Sequence, residues 1–355
     1  MENFKYLHIM HNEKFIAPFI SFTEDYLHKK EHLFIILGGV SEEIIPIPHQ
    51  SNIRIIDRKL LKILNIIAFS RAVKKYFIAA DKVIVHGLFT GNVINFLLLN
   101  TKFCQKTSWV VWGEDLYGYR NRNKNFRSRF NNLRKQLVVK KMAGLITYIK
   151  GDYDLAKNWY GAKGQYYECL MYPSNLYKEY PVQPKTDSTT NILIGNSADP
   201  SNNHLEILKI LEPYKEGRIR IYAPLSYGPQ AYGREVEKTG QQMFGEKFIA
   251  LTDFMVFDKY LELLGKIDIA IFNHDRQQAM GNIIPLLGLG KKVYMRRNIT
   301  PRRLFDELGI SVFDIDSFNL EQLGAEDVNL NPERVKAYFC ERNLAFQLTE
   351  IFENS

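Results

Sequence analysis

Cysteine is scarce. Cys104, Cys169 and Cys340 stand far apart and form neither a CxxC pair nor a cluster with metal-ligand spacing, so a disulfide framework is disfavoured and reduced, mostly buried thiols are expected. No apolar run reaches the roughly 18 residues that cross a bilayer. The opening MENFKYLHIM lacks the apolar core of a signal peptide, so the chain is expected to stay in the cytoplasm. No low-complexity tract occurs.

What is present is an ordinary globular composition, 46% apolar and 24% charged, in 355 residues. That length suits two domains of roughly 150 to 180 residues each. The net charge of +8 and a pI near 9.1 point to an anionic partner: nucleic acid, a phospholipid surface or a phosphorylated substrate.

Strands alternate with helices along the first half. FKYLHIM and LFIILGG read as strands, the latter stopped by Gly38-Gly39, with a helix from Phe15 to His28 between them. A weaker strand at Ile53 to Ile56, a helix from Lys59 to Tyr76, the strand KVIVHG, a short helix from Asn92 to Leu99 and the strand TSWVVWG follow. GLITYI is a further strand that leads into a helix at Asp152. Tyr172 to Thr190, rich in proline and small polar residues, reads as a linker. A second series then begins with NILIGNS, a helix from Asn203 to Tyr214, RIRIYAP, a helix from Gly233 to Phe244, FIAL and a helix from Phe257 to Leu264. A strand near Val312-Phe313 and one final helix from Glu333 to Asn354 close the chain. The alternation predicts parallel, doubly wound sheets: an α/β fold of two Rossmann-like domains facing a cleft, residues 1–180 and 181–355, with the last helix packing back on the first domain.

The most informative stretch is Ile267 to Met295, read as a strand to Phe272, a polar turn from Asn273 to Gln278, a helix opening at Met280-Gly281-Asn282, and a strand after Gly288 and Gly290. A helix that opens at a sheet's carboxyl edge presents free N–H groups and the positive end of its dipole to an anion. The loop Gly195 to His204, GNSADPSNNH, also joins a strand to a helix. Gly195 allows close backbone approach, Ser201 or Asn202 suits a cap, and the loop does not match G-x-G-x-x-G, which disfavours a dinucleotide dehydrogenase. The plainer reading of each is a well-capped or solvated turn.

VVWGEDLYGYR places Glu114 and Asp115 just beyond a strand. Trp112 and Gly113 mark the loop as restricted, although paired acids in turns are often only surface residues. His86 and His11 end neighbouring strands and are the other candidates for a base, against the plain alternative of structural histidines. From Arg120 to Lys141 there are nine Lys or Arg and no acid, with Phe126, Phe130, Leu133 and Leu137 at helical spacing. Arg120, Arg122, Arg127, Arg129, Arg134 and Lys135 are therefore candidates for an anionic leaflet or a lipid-linked diphosphate, a solvated basic face being the alternative.

WGEDLY (Trp112 to Tyr117), GNSADPSNNH (Gly195 to His204) and RQQAMGN (Arg276 to Asn282), in this order and at domain-scale spacing, resemble a bacterial glycosyltransferase family, the 4-alpha-L-fucosyltransferases. It includes the TDP-N-acetylfucosamine:lipid II N-acetylfucosaminyltransferase of enterobacterial common antigen synthesis. The resemblance runs from the first strand to about Phe313. It implies GT-B architecture and transfer of a 4-amino-4,6-dideoxy-type sugar from a TDP donor to an undecaprenyl-diphosphate-linked saccharide. The site would be the cytoplasmic face of the inner membrane, with the enzyme peripheral, and related members could serve other surface polysaccharides.

Under that resemblance Arg276 pairs with phosphate, Gln277 and Gln278 bond sugar hydroxyls or an acetamido group, and Gly281 and Asn282 offer backbone amides to the diphosphate. Gly195, Asn196, Ser197 and Asn202 belong to the same donor site. Tyr222, Ser226 and Tyr227 are candidates to stack on or hold the base, and Asp253 to fix the base or ribose. Inverting transfer needs Glu114, Asp115, His86 or His11 to take the acceptor proton. No metal and no cofactor beyond the donor are expected, because a helix N-terminus and Arg276 can stabilise the leaving diphosphate. The rival readings are a nucleic-acid-binding α/β protein using the basic stripe and a sugar-nucleotide epimerase of the same architecture.

Overall fold

The computed structural model describes residues 4–28, 31–38, 52–57, 59, 65–179, 185 and 187–353. Gly39, positions 60–64 of the helix expected from Lys59, positions 180–184 and 186 of the expected linker, and Asn354 lie outside them.

The first strands follow from runs of branched aliphatic residues. In chain order the elements are β1 (Tyr6–His11), α1 (Ile16–Tyr26), β2 (His32–Leu37), β3 (Ile53–Ile56), α2 (Ile66–Ala79), β4 (Lys82–His86), α3 (Gly91–Leu99) and β5 (Thr107–Val110). Then come α4 (Glu114–Tyr117), α5 (Phe126–Val139), β6 (Gly144–Ile146), α6 (Lys150–Tyr160) and β7 (Gln165–Tyr167). The sheet order is β3-β2-β1-β4-β5-β6-β7, all parallel. Every residue of β2 is buried, as expected of a parallel sheet covered on both faces. Side chains alternate between those faces. Leu7 and Ile9 enter a core with Phe69, Val73, Phe77 and Phe96, whereas His8 turns the other way, against Phe19 and Phe34.

The second series comprises β8 (Thr190–Ile194), α7 (His204–Leu211), β9 (Ile219–Pro224), α8 (Gln230–Phe244), β10 (Phe248–Leu251), α9 (Phe257–Lys266), β11 (Ile269–Phe272) and α10 (Met280–Gly288). It ends with β12 (Lys292–Met295), α11 (Thr300–Glu307), β13 (Phe313–Asp314) and α12 (Ala325–Tyr338). The order is β10-β9-β8-β11-β12-β13, again parallel. A last helix, α13 (Glu341–Phe352), follows.

The chain divides into two compact units, Met1–Ser174 with Glu341–Ser355, and Asn175–Cys340. The division thus falls at a 3-10 turn, Pro173–Asn175, rather than at 180/181. α13 docks on the first unit through Leu344, Leu348, Ile351 and Phe352, all buried. The Leu170 N–H donates to Gln347 Oε1 at 2.8 Å, Lys82 Nζ donates to Ile351 O at 2.5 Å, and Tyr6 Oη donates to Phe352 O.

Two expectations need correction. The single helix from Glu333 is two, broken at Phe339-Cys340, because the Phe339 carbonyl accepts the Tyr177 N–H at 2.8 Å and its backbone leaves the helical region. TSWVVWG is a strand only to Val110. Beyond it, the Asp115 carboxylate captures the N–H groups of Trp112 and Leu116 and turns the chain into α4 through Gly113, at φ 89°. α11 and β7 were not anticipated.

Gly288, at the end of α10, is there for space. A Cβ would sit 2.2 Å from the Tyr177 ring, which is held by its hydroxyl on Gly288 O at 3.0 Å. Gly288→Ala is expected to cost about 1–3 kcal/mol through overpacking. An unchanged melting temperature would contradict this, and Tyr177→Leu in the same chain should restore part of the loss.

Candidate functional site

In the second unit the strand order reverses between β8 and β11, and at such a switch point the loops after the two strands part to leave a crevice. Those loops are Gly195–Asn203 and Asn273–Ala279, and polar side chains stitch them together. His274 Nε2 lies 2.8 Å from Asn202 Oδ1, and Asn203 Nδ2 donates to Asn273 O at 2.8 Å. Gln278 bridges the loops, accepting from Ser201 Oγ at 2.8 Å and donating to Asn196 Oδ1 at 3.2 Å. Asn202 is fully buried: its Oδ1 takes the Asn196 N–H at 2.9 Å, and its Nδ2 donates to Ser197 O and Asp199 O, both at 3.0 Å. Asn202 and Ser201 therefore do not cap the next helix. They tie its loop, and α7 opens after Asn203, φ 51°, with the first N–H, that of His204, donating to the Tyr232 hydroxyl at 3.2 Å.

α10 also opens after a residue at positive φ. Ala279 adopts φ 60°, and no side chain caps it. Non-glycine residues held at positive φ are strained and cluster at functional sites. Gly281 stands exposed in the first turn of α10, but Asn282, half-buried beside it, has no amide to offer a diphosphate, because its N–H donates to Ala279 O at 2.8 Å. Arg276, half-buried in the turn, has no ion-pair partner among the described residues. Burial alone would raise the Asp199 carboxyl, but the Ser201 O–H and N–H and the charge of Arg276 hold it below its usual range. His274 is pushed down to about 3 by burial and then by Arg276, so it is neutral at physiological pH and Nε2 donates to the Asn202 carbonyl.

Gly195, at φ 65°, packs so closely that a Cβ would lie 2.5 Å from His204 Nε2. His204 is fully buried, with neither ring nitrogen hydrogen-bonded, and burial pushes it down to about 4. Tyr227 joins the Gly195 loop through its backbone, its carbonyl accepting the Ala198 N–H at 2.6 Å, and its ring is exposed with Ser226 beside it. Tyr222 sits within β9, paired with Leu193 and Ile249, and Asp253 is exposed after β10, beyond β9 from the switch point. The carboxamide of Gln277 has a buried Oε1 without a partner.

The first unit reverses strand order between β1 and β4, and His11 and His86 end those two strands. Their surroundings differ. His11 is half-buried with Nε2 2.7 Å from Thr90 Oγ1, whereas His86 is fully buried with Nε2 on His8 and Nδ1 on the Tyr172 hydroxyl. The adjacent acids differ as sharply. Asp115 is buried and accepts four N–H groups, from Leu88 at 2.8 Å, Trp109 Nε1 at 2.6 Å, and Trp112 and Leu116 at 3.0 Å each. Glu114 is exposed on the wall of a cavity of about 410 Å³ that Arg127, Arg134, Lys135 and Phe89 also line. Glu13, which sequence reasoning passed over, has its carboxyl raised by burial and by the nearby charge of Glu114, against the opposing pull of Lys14. Its signal was its place in the His11-Asn12-Glu13 loop after the first strand.

The basic stripe forms α5 and the turns before it. Phe126, Phe130, Leu133 and Leu137 project from one side of the helix at 83, 51, 52 and 49% exposure, with Arg127 and Arg129 exposed among them. Arg120 and Arg122 lie over the rings of Tyr117 and Tyr119, 4.9 and 4.1 Å from the centroids. Arg134 bonds Asn95 and Asn131. Lys135 is withdrawn from any surface role: it is buried, its ammonium donates to the carbonyls of Leu88 and Asp115, and desolvation pushes it down to about 8. Among the described residues no group of three or more His, Cys, Asp or Glu is placed to hold a metal ion.

A model of the family described as 4-alpha-L-fucosyltransferase glycosyl transferase group 56 matches residues 11–338. Among solved structures, sucrose-phosphate synthase from Thermosynechococcus elongatus superposes with a TM-score of 0.67 at 11% identity, covering 99% of this chain and 98% of that one. An alpha,alpha-trehalose-phosphate synthase (UDP-forming) from Burkholderia vietnamiensis gives 0.60 at 9%, covering 98% of each chain. A glycosyltransferase from Rickettsia africae gives 0.61 at 14%, covering 100% of each. At these identities the likeness is one of fold, the GT-B type.

Proposed function

The chain belongs to the 4-alpha-L-fucosyltransferase family, glycosyl transferase group 56, and from that premise we propose that it moves an N-acetylated amino-deoxy sugar, Fuc4NAc-like, from a TDP donor to a polyprenyl-diphosphate-linked saccharide. It is a glycosyltransferase, and its family implies a nucleotide-sugar donor and a glycan acceptor. The observation that carries the donor half of the reading is the switch point between β8 and β11, where α10 begins without a side-chain cap on the strained turn at Ala279. The Gly281 N–H in the first turn of α10 and the helix dipole suit a diphosphate, and the positive charge of Arg276 offsets the negative charge that develops on the leaving group. On this reading transfer needs no metal. Gln278 is committed to joining the two loops, which leaves Gln277 to meet the sugar.

The acceptor is assigned to the first unit, with Glu114 as the base. Its carboxylate faces a cavity, while Asp115 and His86 have their bonding positions occupied. His11 is the second candidate. The exposed apolar row on α5, set among Arg127 and Arg129, fits the anionic surface of a membrane, and no helix among the described residues is long and apolar enough to cross one. Peripheral attachment at the cytoplasmic face of the inner membrane follows from this reading.

The test is a panel of TDP-sugars incubated with polyprenyl-diphosphate saccharides and EDTA, read by mass spectrometry. Transfer only after EDTA is replaced by a divalent cation would refute the metal-free mechanism, and no transfer from any TDP-sugar would refute the donor. Arg276→Ala is expected to weaken TDP binding by about 1.5–3 kcal/mol, the worth of a charge-assisted hydrogen bond. Calorimetry returning the wild-type affinity would remove Arg276 from the site.

A further inference from the structure

Five side chains of the first unit form one hydrogen-bonded row. His32 Nδ1 is 2.9 Å from His8 Nε2, His8 Nδ1 is 3.0 Å from His86 Nε2, and His86 Nδ1 is 2.7 Å from the Tyr172 hydroxyl. The same hydroxyl accepts from Trp112 Nε1 at 2.7 Å. His8, His32, His86 and Tyr172 are all buried. Burial holds His86 at about 3 and His32 at about 4 and keeps His8 well below its ordinary value, so the imidazoles are neutral.

Neutral rings each give one hydrogen and take one, which makes the row directional. The indole N–H must donate to Tyr172. If Tyr172 in turn donates to His86 Nδ1, then His86 donates from Nε2 to His8, and His8 from Nε2 to His32, so that every bond in the row is filled. The opposite sense would bury the Tyr172 O–H hydrogen with no acceptor in the row, a costly arrangement. The row therefore has one preferred polarity, and its free end is the half-buried indole of Trp112.

That indole lies at the carboxyl end of the sheet with other rings around it. Phe15 meets it edge to face at 4.9 Å and 80°, Phe89 at 5.5 Å and 55°, and His11 packs on Phe89 at 6.2 Å. Phe89 is 40% exposed. Glu13, Glu114 and Thr90 come from the same loops. Aromatic faces bordered by carboxylates and a hydroxyl suit a ring that is apolar on its C–H faces and lined with hydroxyls at its edge. The two carboxylates oppose a phosphate in the same place.

We infer that Trp112, with Phe15 and Phe89, is the stacking face for a pyranose ring of the glycan acceptor, and that Tyr172 is the positioning residue that sets the indole through the histidine row. The inference rests on the assignment of the acceptor to the first unit. Its test titrates the full chain with methyl glycosides of N-acetylglucosamine, glucose, galactose and mannose, read by saturation-transfer NMR and tryptophan emission, with TDP affinity measured alongside. The wild type should bind at least one glycoside saturably. Trp112→Leu should abolish that binding, and Trp112→Phe should keep it within about threefold. Tyr172→Phe should weaken it about tenfold and shift the emission maximum, with TDP affinity unchanged. Saccharide binding that Tyr172→Phe and both Trp112 variants leave unchanged, or no binding of any glycoside by the wild type, would overturn the proposal. If Trp112→Leu fails to fold, Tyr172→Phe and Trp112→Phe decide it by the same readings. Loss of TDP binding in the wild type would instead sink the donor reading alone.

Discussion

Glu114→Gln is expected to lower turnover by about 10²- to 10⁴-fold, the usual worth of a positioned general base, while TDP affinity stays at the wild-type value. The amide keeps the shape and the hydrogen-bonding oxygen of the side chain and removes only its capacity to take a proton. Glu114 suits the role because it stands exposed on the wall of the cavity, close to Glu13, whose carboxyl is raised by burial and by the charge of Glu114. The acceptor hydroxyl has to surrender its proton as the glycosidic bond forms, and a carboxylate free to turn toward it supplies the acceptor site. Steady-state rates with donor and acceptor both saturating are the measurement. A variant that keeps more than about a third of the wild-type rate, well outside the range for a general base, would pass the role to His11, whose Nε2 need only release Thr90.

Asp115→Ala is expected to have a large effect of another kind, a loss of about 3–5 kcal/mol of stability. Its carboxylate takes N–H groups from Leu88, Trp109, Trp112 and Leu116, and the Lys135 ammonium is buried close by. Without it, those donors lose their acceptor and the Lys135 cation is left in a poorly solvated place. Urea unfolding should show a lower midpoint with an unchanged slope, and Asp115→Asn should fall between, since an amide offers one acceptor oxygen. A loss below about 1 kcal/mol would mean that the loop finds other partners easily. The two neighbours thus separate cleanly: one substitution should stop chemistry in a stable protein, the other should loosen the loop that carries the chemistry.

The alternation of aliphatic runs with amphipathic stretches was legible because each parallel strand is buried on both faces, and LFIILGG leaves no other reading. The switch-point loops were legible for a similar reason, since Gly195 and the Met280-Gly281-Asn282 opening mark where a strand hands over to a helix. What the sequence could not convey was which polar atom each side chain would choose. Asn202 and Ser201 look like caps, but a cap and a loop tie use the same amide and hydroxyl, and only the fold shows that His274 and Gln278 claim them. Glu114 and Asp115 are alike in sequence, and Trp109, six residues before Asp115, decides which is buried. The break at Phe339-Cys340 had a trace: apolar steps of three and four through Leu344, Leu348 and Ile351 are preceded by a step of five from Phe339. Helix α11 was legible and passed over: Pro301, Leu304, Phe305 and Leu308 stand at helical spacing with charges between them, and Pro301 marks its first turn.

The docking of α13 on the first unit has a consequence for the order in which the protein is made. A ribosome delivers β1, β2 and β4 early, yet the Phe352 ring that packs on His8 and His32, and the Gln347 amide that receives Leu170, emerge only after the whole of the second unit. Until then the face of the sheet that carries the histidine row lacks part of its cover. The second unit, continuous in sequence, can close as soon as it has been translated, whereas the first has to wait for its last helix.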